Sequence, residues 1–411
     1  MRLQEHCVLR NNSRTIPSIA APCRYALLPW TPNQSDCEVR AAAKHVAMNT
    51  PSDEMKFQSD FENAEAAWTT VPSQVVELRH VAADRNLSII ERVGAFEDLI
   101  DAEVGDTDLS RARNVERETN LHQLFVKFEG GNPSGTQKDR IAFAQAKDAL
   151  RRGFECLTLA TCGNYGAAMA LAASMAGIRC VIYIPEEYQA KRISEMSRYG
   201  AEIVRVSGGY EAAVDASSDA ARHDDWYDAN PGGDNTTLQL QAYGEIAREI
   251  FDDLRDAPAA VAVPVSNGTL LAGVYRGFES LYRRGKTSRM PRLIAGSTFK
   301  QNPIVAAWLA GADHCADLNP ESIRETAINE PLVNWHSIDG DLALEGIRNS
   351  SGWADYASDR ALGGYSRLLR QTQGLSVLPA STAGLHALLA HHAKNPLPAD
   401  RYVAILTGRK V

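Results

Sequence analysis

A lysine in a glycine-rich turn is the residue of this sequence best placed to do covalent chemistry. Residues 129–140 read E-G-G-N-P-S-G-T-Q-K-D-R and place Lys138 between a predicted strand and a predicted helix. The positive end of a helix dipole disfavours an ammonium ion, so a lysine there is expected to keep a neutral amine. Such an amine is a nucleophile toward an aldehyde. From spacing alone, an ordinary surface lysine after a turn is favoured over this role by roughly three to one.

The same turn does not match a nucleotide phosphate loop. That loop has the pattern G-x-x-x-x-G-K-S/T, in which the lysine follows directly after the second glycine. Here Thr136 and Gln137 separate Gly135 from Lys138. The nucleotide interpretation therefore fails at this position.

Two further turns connect a predicted strand to a predicted helix. The turn A-T-C-G-N at 160–164 offers backbone N–H groups, a hydroxyl and an amide that can receive a carboxylate, although Asn164 alone also suits a plain helix cap. The turn S-N-G-T-L at 266–270 is small enough for a phosphate to approach the backbone, but also suits an ordinary connection. Ligands bind at the carboxyl ends of parallel strands, so three such turns together favour one ligand site.

The elements that must position these turns alternate along the chain. Strands are predicted at 124–128, 156–161, 180–185, 201–206, 259–265 and 402–406, and helices at 139–152, 165–176, 187–199, 210–223, 271–282 and 383–392. This alternation is typical of an α/β fold built on parallel sheets.

The length of the chain predicts two lobes that share a cleft. At 411 residues it exceeds what one core usually supports. We expect a large domain formed by 95–141 plus 237–411 and a small domain formed by 142–236. Residues 1–94 are interrupted by prolines and are predicted to be an irregular extension, with one helix start at Ser59, where Glu62 completes a capping box.

Composition narrows the partners and the compartment. A net charge of −8 leaves no basic surplus for nucleic acid, and no apolar stretch resembles a signal peptide or a membrane span. The seven cysteines form no C-x-x-C pair and no metal-binding spacing. We therefore expect a cytoplasmic protein that binds no metal, no nucleic acid and no membrane. A homodimer is a separate expectation, which composition does not decide.

These motifs resemble the threonine synthase group of the fold type II pyridoxal 5′-phosphate (PLP) enzymes, the tryptophan synthase beta superfamily. Residues 132–140 resemble the pattern N-P-T/S-G-S-F/Y-K-D-R, residues 161–164 resemble S-S/T-G-N, and 264–268 with 275–278 resemble P-V-G-N-A/G followed by Y-W-x-G-F. Further similar landmarks are Glu330-Pro331, Asn334-Trp335, 350–352, Ser358-Asp359 and 379–383. The resemblance runs from about Gly105 to the C-terminus. It implies two parallel-sheet lobes with PLP in the cleft between them.

The resemblance also implies a role for each motif. Lys138 would hold PLP as a Schiff base and act as general base, and Thr407 would bind the pyridine nitrogen, with Ser381 and Thr382 as the fallback partners. Asn164 would lie beside the phenolic oxygen of the cofactor. The phosphate would lie on Ser266, Asn267, Gly268, Thr269 and Leu270, and the substrate carboxylate on Thr161, Cys162, Gly163 and Asn164. Because a neutral hydroxyl does not keep the ring nitrogen protonated, elimination or replacement is favoured over transamination.

Three positions depart from the family pattern. Asp108 stands in place of a proline, Cys162 in place of a serine, and Thr237 in place of the arginine that receives a substrate phosphate. A phosphorylated substrate therefore does not follow from the resemblance.

The sequence leads to one function and two alternatives. The first is a threonine synthase-like lyase acting at the β or γ carbon of a small L-amino acid. The alternatives are a serine/threonine dehydratase or cysteine synthase-type enzyme, and a non-catalytic protein that binds PLP or amino acids. Lys191 and Arg192 could reach an anionic substrate, but a solvated helix face is favoured for both. His391 and His392 are interpreted as solvated or as complementing a helix dipole, and all four basic residues are left outside the site.

Overall fold

The structure, a computed structural model, describes residues 73–161, 163–188 and 192–410. Their strands form a six-stranded sheet and a four-stranded sheet. Within this part of the chain no helix is long and apolar enough to cross a bilayer.

The six-stranded sheet has the order β1-β2-β10-β7-β8-β9. Its strands are β1 (Leu109–Arg111), β2 (Leu124–Phe128), β7 (Ala260–Pro264), β8 (Arg292–Thr298), β9 (Trp353–Ala357) and β10 (Tyr402–Leu406). β1 is antiparallel to β2, whereas β2, β10, β7, β8 and β9 are mutually parallel. Every residue of β7 and β10 is buried, as expected for central strands covered on both faces.

The four-stranded sheet has the order β5-β4-β3-β6 and is parallel throughout. Its strands are β3 (Cys156–Ala160), β4 (Arg179–Pro185), β5 (Glu202–Val206) and β6 (Tyr227–Asp228). All four lie within residues 142–236, the range predicted for the small domain. The α/β fold class with two parallel sheets is therefore confirmed, while the domain boundaries themselves stay a prediction.

Helices connect and cover these strands. They are α1 (Ser73–Ala83), α2 (Ile89–Glu103), α3 (Arg113–Thr119), α4 (Lys138–Arg151), α5 (Asn164–Ala176), α6 (Ile193–Arg198), α7 (Tyr210–His223), α8 (Thr236–Leu254), α9 (Thr269–Arg283), α10 (Pro303–Ala310), α11 (Gly340–Asn349), α12 (Asp359–Gln373) and α13 (Ala383–Lys394). The alanine-rich α5 is almost entirely buried, because small side chains allow its neighbours to approach closely.

The described end of the N-terminal extension is helical. α1 and the first turns of α2 occupy residues 73–94, so the prediction of irregular structure is wrong there. Ser88 and Glu91 form a capping box at the start of α2, and Phe96 and Leu99 bury that helix in the main core. The capping box predicted at Ser59 lies outside the described residues.

Candidate active site

The predicted turns surround one cavity of about 270 Å³. The lining includes all the predicted site residues that the structure describes: Lys138, Thr161, Gly163, Asn164, Ser266, Asn267, Gly268, Thr269, Leu270 and Thr407. Cys162, the remaining predicted residue, lies outside the described residues. The turns meet because β2, β10 and β7 are adjacent parallel strands whose carboxyl ends open at one edge of the sheet, while β3 presents its own end from the other sheet.

Lys138 is the first residue of α4. Its side chain lines the cavity, and its Nζ lies 5.7 Å from the centroid of the Tyr165 ring. Dense protein around the amine disfavours its charged form and lowers the pKa of Lys138 to about 8, while the carboxylate of Asp339 partly opposes this change. The alternative of a solvated surface lysine is therefore wrong.

The turn that carries Lys138 is fixed to the C-terminal strand. Gln137 N donates to Thr407 O at 3.0 Å, and Arg409 N donates to Gly135 O at 2.9 Å. Gly135 has a φ of 92°, and a Cβ there would lie 2.7 Å from the side chain of Arg409. The turn therefore requires glycine both for its backbone conformation and for the space.

A buried carboxyl group sits directly behind Lys138. Asp139 is 0% exposed, and its Oδ2 accepts from Ser134 N at 2.9 Å. Burial raises the pKa of Asp139 to about 7. This bond closes the turn between residues 134 and 139 without taking part in the cavity lining.

Asn164 does not cap its helix. The cap residue of α5 is Gly163, which has no side chain that could cap the helix, and Asn164 is the first helical residue. Its Oδ1 accepts from Arg192 Nη1 at 2.9 Å, which leaves the amide Nδ2 as the donor available to a ligand oxygen. Arg192 thus orients this amide, and this contact replaces the helix-capping role.

Arg192 contacts two of the predicted turns, which the sequence did not reveal. It is 9% exposed, donates to Ser134 O at 2.8 Å and pairs with Glu195 at 2.6 Å, so the interpretation of a solvated side chain is wrong. It therefore links the Asn164 turn to the Lys138 turn. Lys191, which was grouped with it, lies outside the described residues.

The 266–270 turn has the form of an anion site. Gly268, the residue before α9, has a left-handed conformation with a φ of 93°, and α9 begins at Thr269 without a side-chain cap. Its first N–H groups are thus left for a ligand, at the positive end of a fifteen-residue helix. A Cβ on Gly268 would lie 2.6 Å from Asp339 O, so only glycine fits.

Side chains from the following loops hold this turn in place. Ser266 O accepts from Asn302 Nδ2 and from Ser337 Oγ, both at 3.0 Å. Asn334, recognised in the sequence only as a landmark, donates from Nδ2 to Asn267 Oδ1 at 2.5 Å. The loop therefore presents a preformed backbone rather than one that must fold around a ligand.

One acidic side chain is out of keeping with an anion site. Asp339 Oδ2 accepts from Thr269 Oγ1 at 2.5 Å, directly behind the start of α9. Burial raises the pKa of Asp339, which favours its neutral form. The sequence carried no signal for this contact, because 70 residues separate the two partners.

Thr407 follows β10 and faces the cavity. Its Oγ1 lies 3.1 Å from Ser381 Oγ, which also accepts from Gly408 N at 3.1 Å. Thr382 Oγ1 donates to Pro379 O at 2.8 Å, away from the cavity. Of the three hydroxyls considered for the ring nitrogen, the lining therefore includes only Thr407.

Two aromatic residues of the cavity wall were also missed in the sequence. Tyr165 donates from its hydroxyl to Ala229 O at 2.7 Å, which fixes the ring next to Lys138. Tyr243 is 1% exposed, and its hydroxyl has no hydrogen-bond partner among the described residues. No local pattern marks either residue, since each comes from the buried face of a helix.

These residues fit PLP. A buried lysine with a lowered pKa can condense with the aldehyde, an uncapped helix start behind a glycine can take the phosphate, and an asparagine amide and a neutral hydroxyl remain to contact the ring. The donors are oriented by other protein groups before any ligand arrives.

Comparison with known proteins defines the class. The family model described as "Pyridoxal-phosphate dependent enzyme" matches residues 100–408, and the chain therefore belongs to that family. PLP is its cofactor, and the predicted fold class is confirmed.

Within the family, the chain is similar to several curated threonine synthases. The chain is 30% identical over 308 residues to the threonine synthase of Methanocaldococcus jannaschii, covering 74% of each protein. It is also 30% identical over 306 residues to that of Bacillus sp., covering 74% of this chain and 82% of the relative. Maize serine racemase shares the fold, with a TM-score of 0.65 at 20% identity over 78% of this chain and 92% of that one. The predicted class, a threonine synthase-like PLP-dependent lyase, is confirmed.

Proposed function

We propose that this lyase eliminates or replaces a group at the β or γ carbon of a small L-amino acid, with Lys138 as the residue that holds the cofactor and moves the α-proton. The observation that carries the proposal is the position of Lys138, at the start of α4 and within one cavity with the 161–164 and 266–270 turns. PLP, when bound, supplies an electron sink for the negative charge that develops at the α-carbon.

Protein groups transfer the proton and bind the substrate carboxylate, the cofactor phosphate and the cofactor ring. With a pKa lowered to about 8, the Nζ of Lys138 has a larger neutral fraction near neutral pH than an ordinary lysine has, and this neutral form can accept a proton. The N–H groups of the 161–164 turn receive the substrate carboxylate, and Asn164, oriented by Arg192, donates its amide to a ring oxygen. Ser266, Asn267, Gly268, Thr269 and Leu270 hold the phosphate. Thr407 contacts the ring nitrogen with a neutral hydroxyl, which favours elimination or replacement.

A spectroscopic experiment tests the assignment of Lys138. Wild-type protein purified with PLP is expected to show the near-visible absorbance of the lysine-bound cofactor, and Lys138→Ala is expected to lose it. Lys147→Ala removes another lysine of α4, one that is half-buried and pairs with Glu97 at 3.3 Å, and should keep the band. A band of equal strength in Lys138→Ala would refute the assignment.

The reaction itself is tested by product release. Wild-type protein incubated with small L-amino acids should release a keto acid, ammonia or a displaced group, and Lys138→Ala should release none above background. Family membership favours this outcome over the non-catalytic binding protein. A cofactor band that responds to amino acids without any product would instead support the binding protein.

Two coarser properties complete the proposal. We infer a homodimer because large apolar side chains are exposed on the main body, among them Phe299 at 56% and Leu309 at 58%. Light scattering of the purified protein should give about twice the chain mass of 44.8 kDa. We also infer a cytoplasmic location from the cysteine usage of the sequence.

A further inference from the structure

A buried carboxyl group lies beside the turn that is proposed to hold the cofactor phosphate. Asp339 is 5% exposed and directly precedes α11, but its side chain does not cap that helix. Its Oδ2 instead accepts from Thr269 Oγ1 at 2.5 Å, at the start of α9. Thr269 lines the cavity, and its hydroxyl therefore lies between this carboxyl group and the proposed phosphate position.

The backbone of Asp339 is fixed to the same turn. Asp339 N donates to Asn267 O at 2.9 Å, and Asp339 O accepts from Ala343 N at 3.1 Å in the first turn of α11. Asp339 O also lies so close to Gly268 that a Cβ there would be 2.6 Å away. These contacts hold the main chain of Asp339 against the turn, so we expect its carboxyl group to stay next to Thr269 when an anion binds.

Groups from three other helices face Asp339 and influence its charge. Burial raises the pKa of Asp339 above its usual range. Hydrogen bonds from Thr269 of α9 and Thr236 of α8 oppose this change, as do the positive charges of Arg276 of α9 and Lys138 of α4. A phosphate on the 266–270 turn would add negative charge and favour the neutral acid further. The carboxyl group is therefore placed to take up a proton when that anion binds.

The hydroxyl of Thr269 has only one hydrogen to donate. While it donates to the carboxylate of Asp339, it turns only lone pairs toward an anion on the turn. If Asp339 is protonated, its own O–H donates to Thr269 Oγ1, and the hydroxyl hydrogen of Thr269 becomes free to reach a phosphate oxygen. Protonation thus converts the same two side chains into a chain of donors directed at the phosphate.

From this geometry we propose that Asp339 and the cofactor phosphate share one proton through the hydroxyl of Thr269, so that phosphate binding is coupled to protonation of Asp339. The inference rests on the proposed function and specifies how its phosphate turn works. A phosphate dianion binds with one proton taken from solvent, whereas a monoanion brings the proton itself. No bond between heavy atoms changes, and Asp339 is a positioning residue because it acts through Thr269.

The ratio of the affinities for PLP and for pyridoxal tests this coupling. Pyridoxal has the same ring and aldehyde without the phosphate, so the ratio cancels the titration of Lys138 and of the ring. Above about pH 7.5 the free phosphate is a dianion, since its second pKa is about 6. Because binding then takes up one proton, the wild-type ratio should fall by up to about tenfold per pH unit between pH 7.5 and pH 9. Equilibrium dialysis of the apoprotein measures both affinities.

Asp339→Asn separates the proton from the shape of the side chain. Its amide donates to Thr269 Oγ1 at every pH and does not titrate, so the ratio should become independent of pH. At pH 9 it should exceed the wild-type ratio by about tenfold. Asp339→Ala lacks the donor, and its ratio should stay below that of Asp339→Asn throughout. Glu345→Gln removes an exposed carboxylate of α11 and should keep the wild-type pH dependence.

Variants of Thr269 test the connecting hydroxyl independently of Asp339. Thr269→Ser keeps the hydroxyl and should keep the fall of the ratio with pH. Thr269→Val removes the hydroxyl and should make the ratio both lower and less dependent on pH. Phosphorus NMR of the PLP-loaded protein gives a second readout, since the resonance of the bound phosphate should shift between pH 7.5 and pH 9 in wild type and stay constant in Asp339→Asn.

Distinct results would overturn the inference. A wild-type ratio that is constant from pH 7.5 to pH 9, or one that falls equally in wild type and Asp339→Asn, would refute the coupling while the proposed lyase function stands. Weaker PLP binding by Asp339→Asn than by wild type at pH 9 would mean that Asp339 only supports the turn. If wild-type protein shows no lysine-bound absorbance with either PLP or pyridoxal, the proposed function and this inference both fail.

Discussion

At the scale of single residues, the protein changes the behaviour of ordinary side chains by where it places them. The pKa of Lys138 lies well below that of an ordinary lysine because burial penalises its charged form. Asn164 becomes an oriented donor because Arg192 occupies its oxygen. Both effects come from neighbours that are distant in sequence, so the reactivity of the site is a property of contacts and not of residue type.

The lowered pKa of Lys138 predicts how cofactor attachment depends on pH. Only the neutral amine attacks an aldehyde, so below the folded pKa of about 8 the rate should rise about tenfold per pH unit, and above it the rate should level off. Stopped-flow absorbance after mixing apoprotein with PLP measures this rate. Dividing by the rate for N-acetyl-lysine amide corrects for ionisation of PLP itself. The ratio of the Lys138 rate to the reference rate should fall between pH 8 and pH 10, because only the reference amine is still gaining its neutral form there. A ratio that stays constant from pH 6 to pH 10 would mean that Lys138 has an ordinary pKa.

At the scale of elements, the site is made where strands end and helices begin. β2 leads to α4, β3 to α5 and β7 to α9, and each connection contributes one part of the cavity lining. Parallel strands bring these ends to one edge, and the helix starts point N–H groups at the same space. The turn before α9 is the most constrained of these connections, since its glycine combines a positive φ with a close backbone contact.

Gly268→Ala should therefore weaken cofactor binding. The added Cβ would lie 2.6 Å from Asp339 O, so the turn must shift, and we expect at least about a tenfold loss in PLP affinity by equilibrium dialysis. Gly285→Ala is the matched control, because Gly285 also has a positive φ of 65° but has nothing within 4 Å of its Cβ position. Both variants should lose about 1 kcal/mol of unfolding free energy from backbone strain. Equal PLP affinity in the two variants would show that the contact with Asp339 is unimportant.

At the scale of the whole molecule, a buried ion network joins segments that surround the base of the site. Arg140 pairs with Glu129 at 2.6 Å and with Glu249 at 2.7 Å, and Lys127 pairs with Glu249 at 2.7 Å. Asp106 N also donates to Glu249 Oε1 at 3.0 Å. The network thus connects β2, α4, α8 and the loop before β1, with two positive and two negative charges in balance. Because each charged side chain of the network has a partner, removal of one side chain would leave an unpaired charge in the low-dielectric interior.

Glu249 predicts the acid sensitivity of the fold. Bonds to Arg140 and Lys127 outweigh burial and lower the pKa of Glu249 from 4.5 to about 2. A lowered folded pKa contributes stability that is fully present above about pH 4.5 and is lost as the pH falls toward 2. Glu249→Gln should cost roughly 3–5 kcal/mol at pH 7. The loss of unfolding free energy caused by Glu249→Gln, measured by urea unfolding, should become smaller as the pH falls from 4.5 to 3.

The control for this prediction is Asp253→Asn, which removes an exposed carboxylate of the same helix. It should change the unfolding free energy by less than about 0.5 kcal/mol at either pH. A Glu249→Gln variant as stable as Asp253→Asn at pH 7 would show that the network contributes little to stability.

Many strands and helices could be predicted from the sequence because the signals for them are local. β2, α7 and β10 have the predicted bounds, and β3, β4 and β5 each differ from the prediction by one residue at an end. The two-residue strand β6 was not predicted. Hydrophobic periodicity and turn residues act over a few positions, so they can be read without knowing the neighbours. α1 and α2 were not predicted, because the prolines earlier in the extension indicated irregular structure. Packing of Phe96 and Leu99 against the main core stabilises α2.

The residues of the three turns could likewise be proposed from the sequence, because each turn is a contiguous segment whose pattern is recognisable without its tertiary contacts. The sequence determined the α/β class, the cofactor and the residues of the three turns. The tertiary structure decided the pKa of Lys138, the orientation of Asn164 by Arg192, and the placement of Tyr243 and Glu330 at the same cavity. Burial, electric field and contact each depend on which distant segments meet, and only a folded chain brings those segments together.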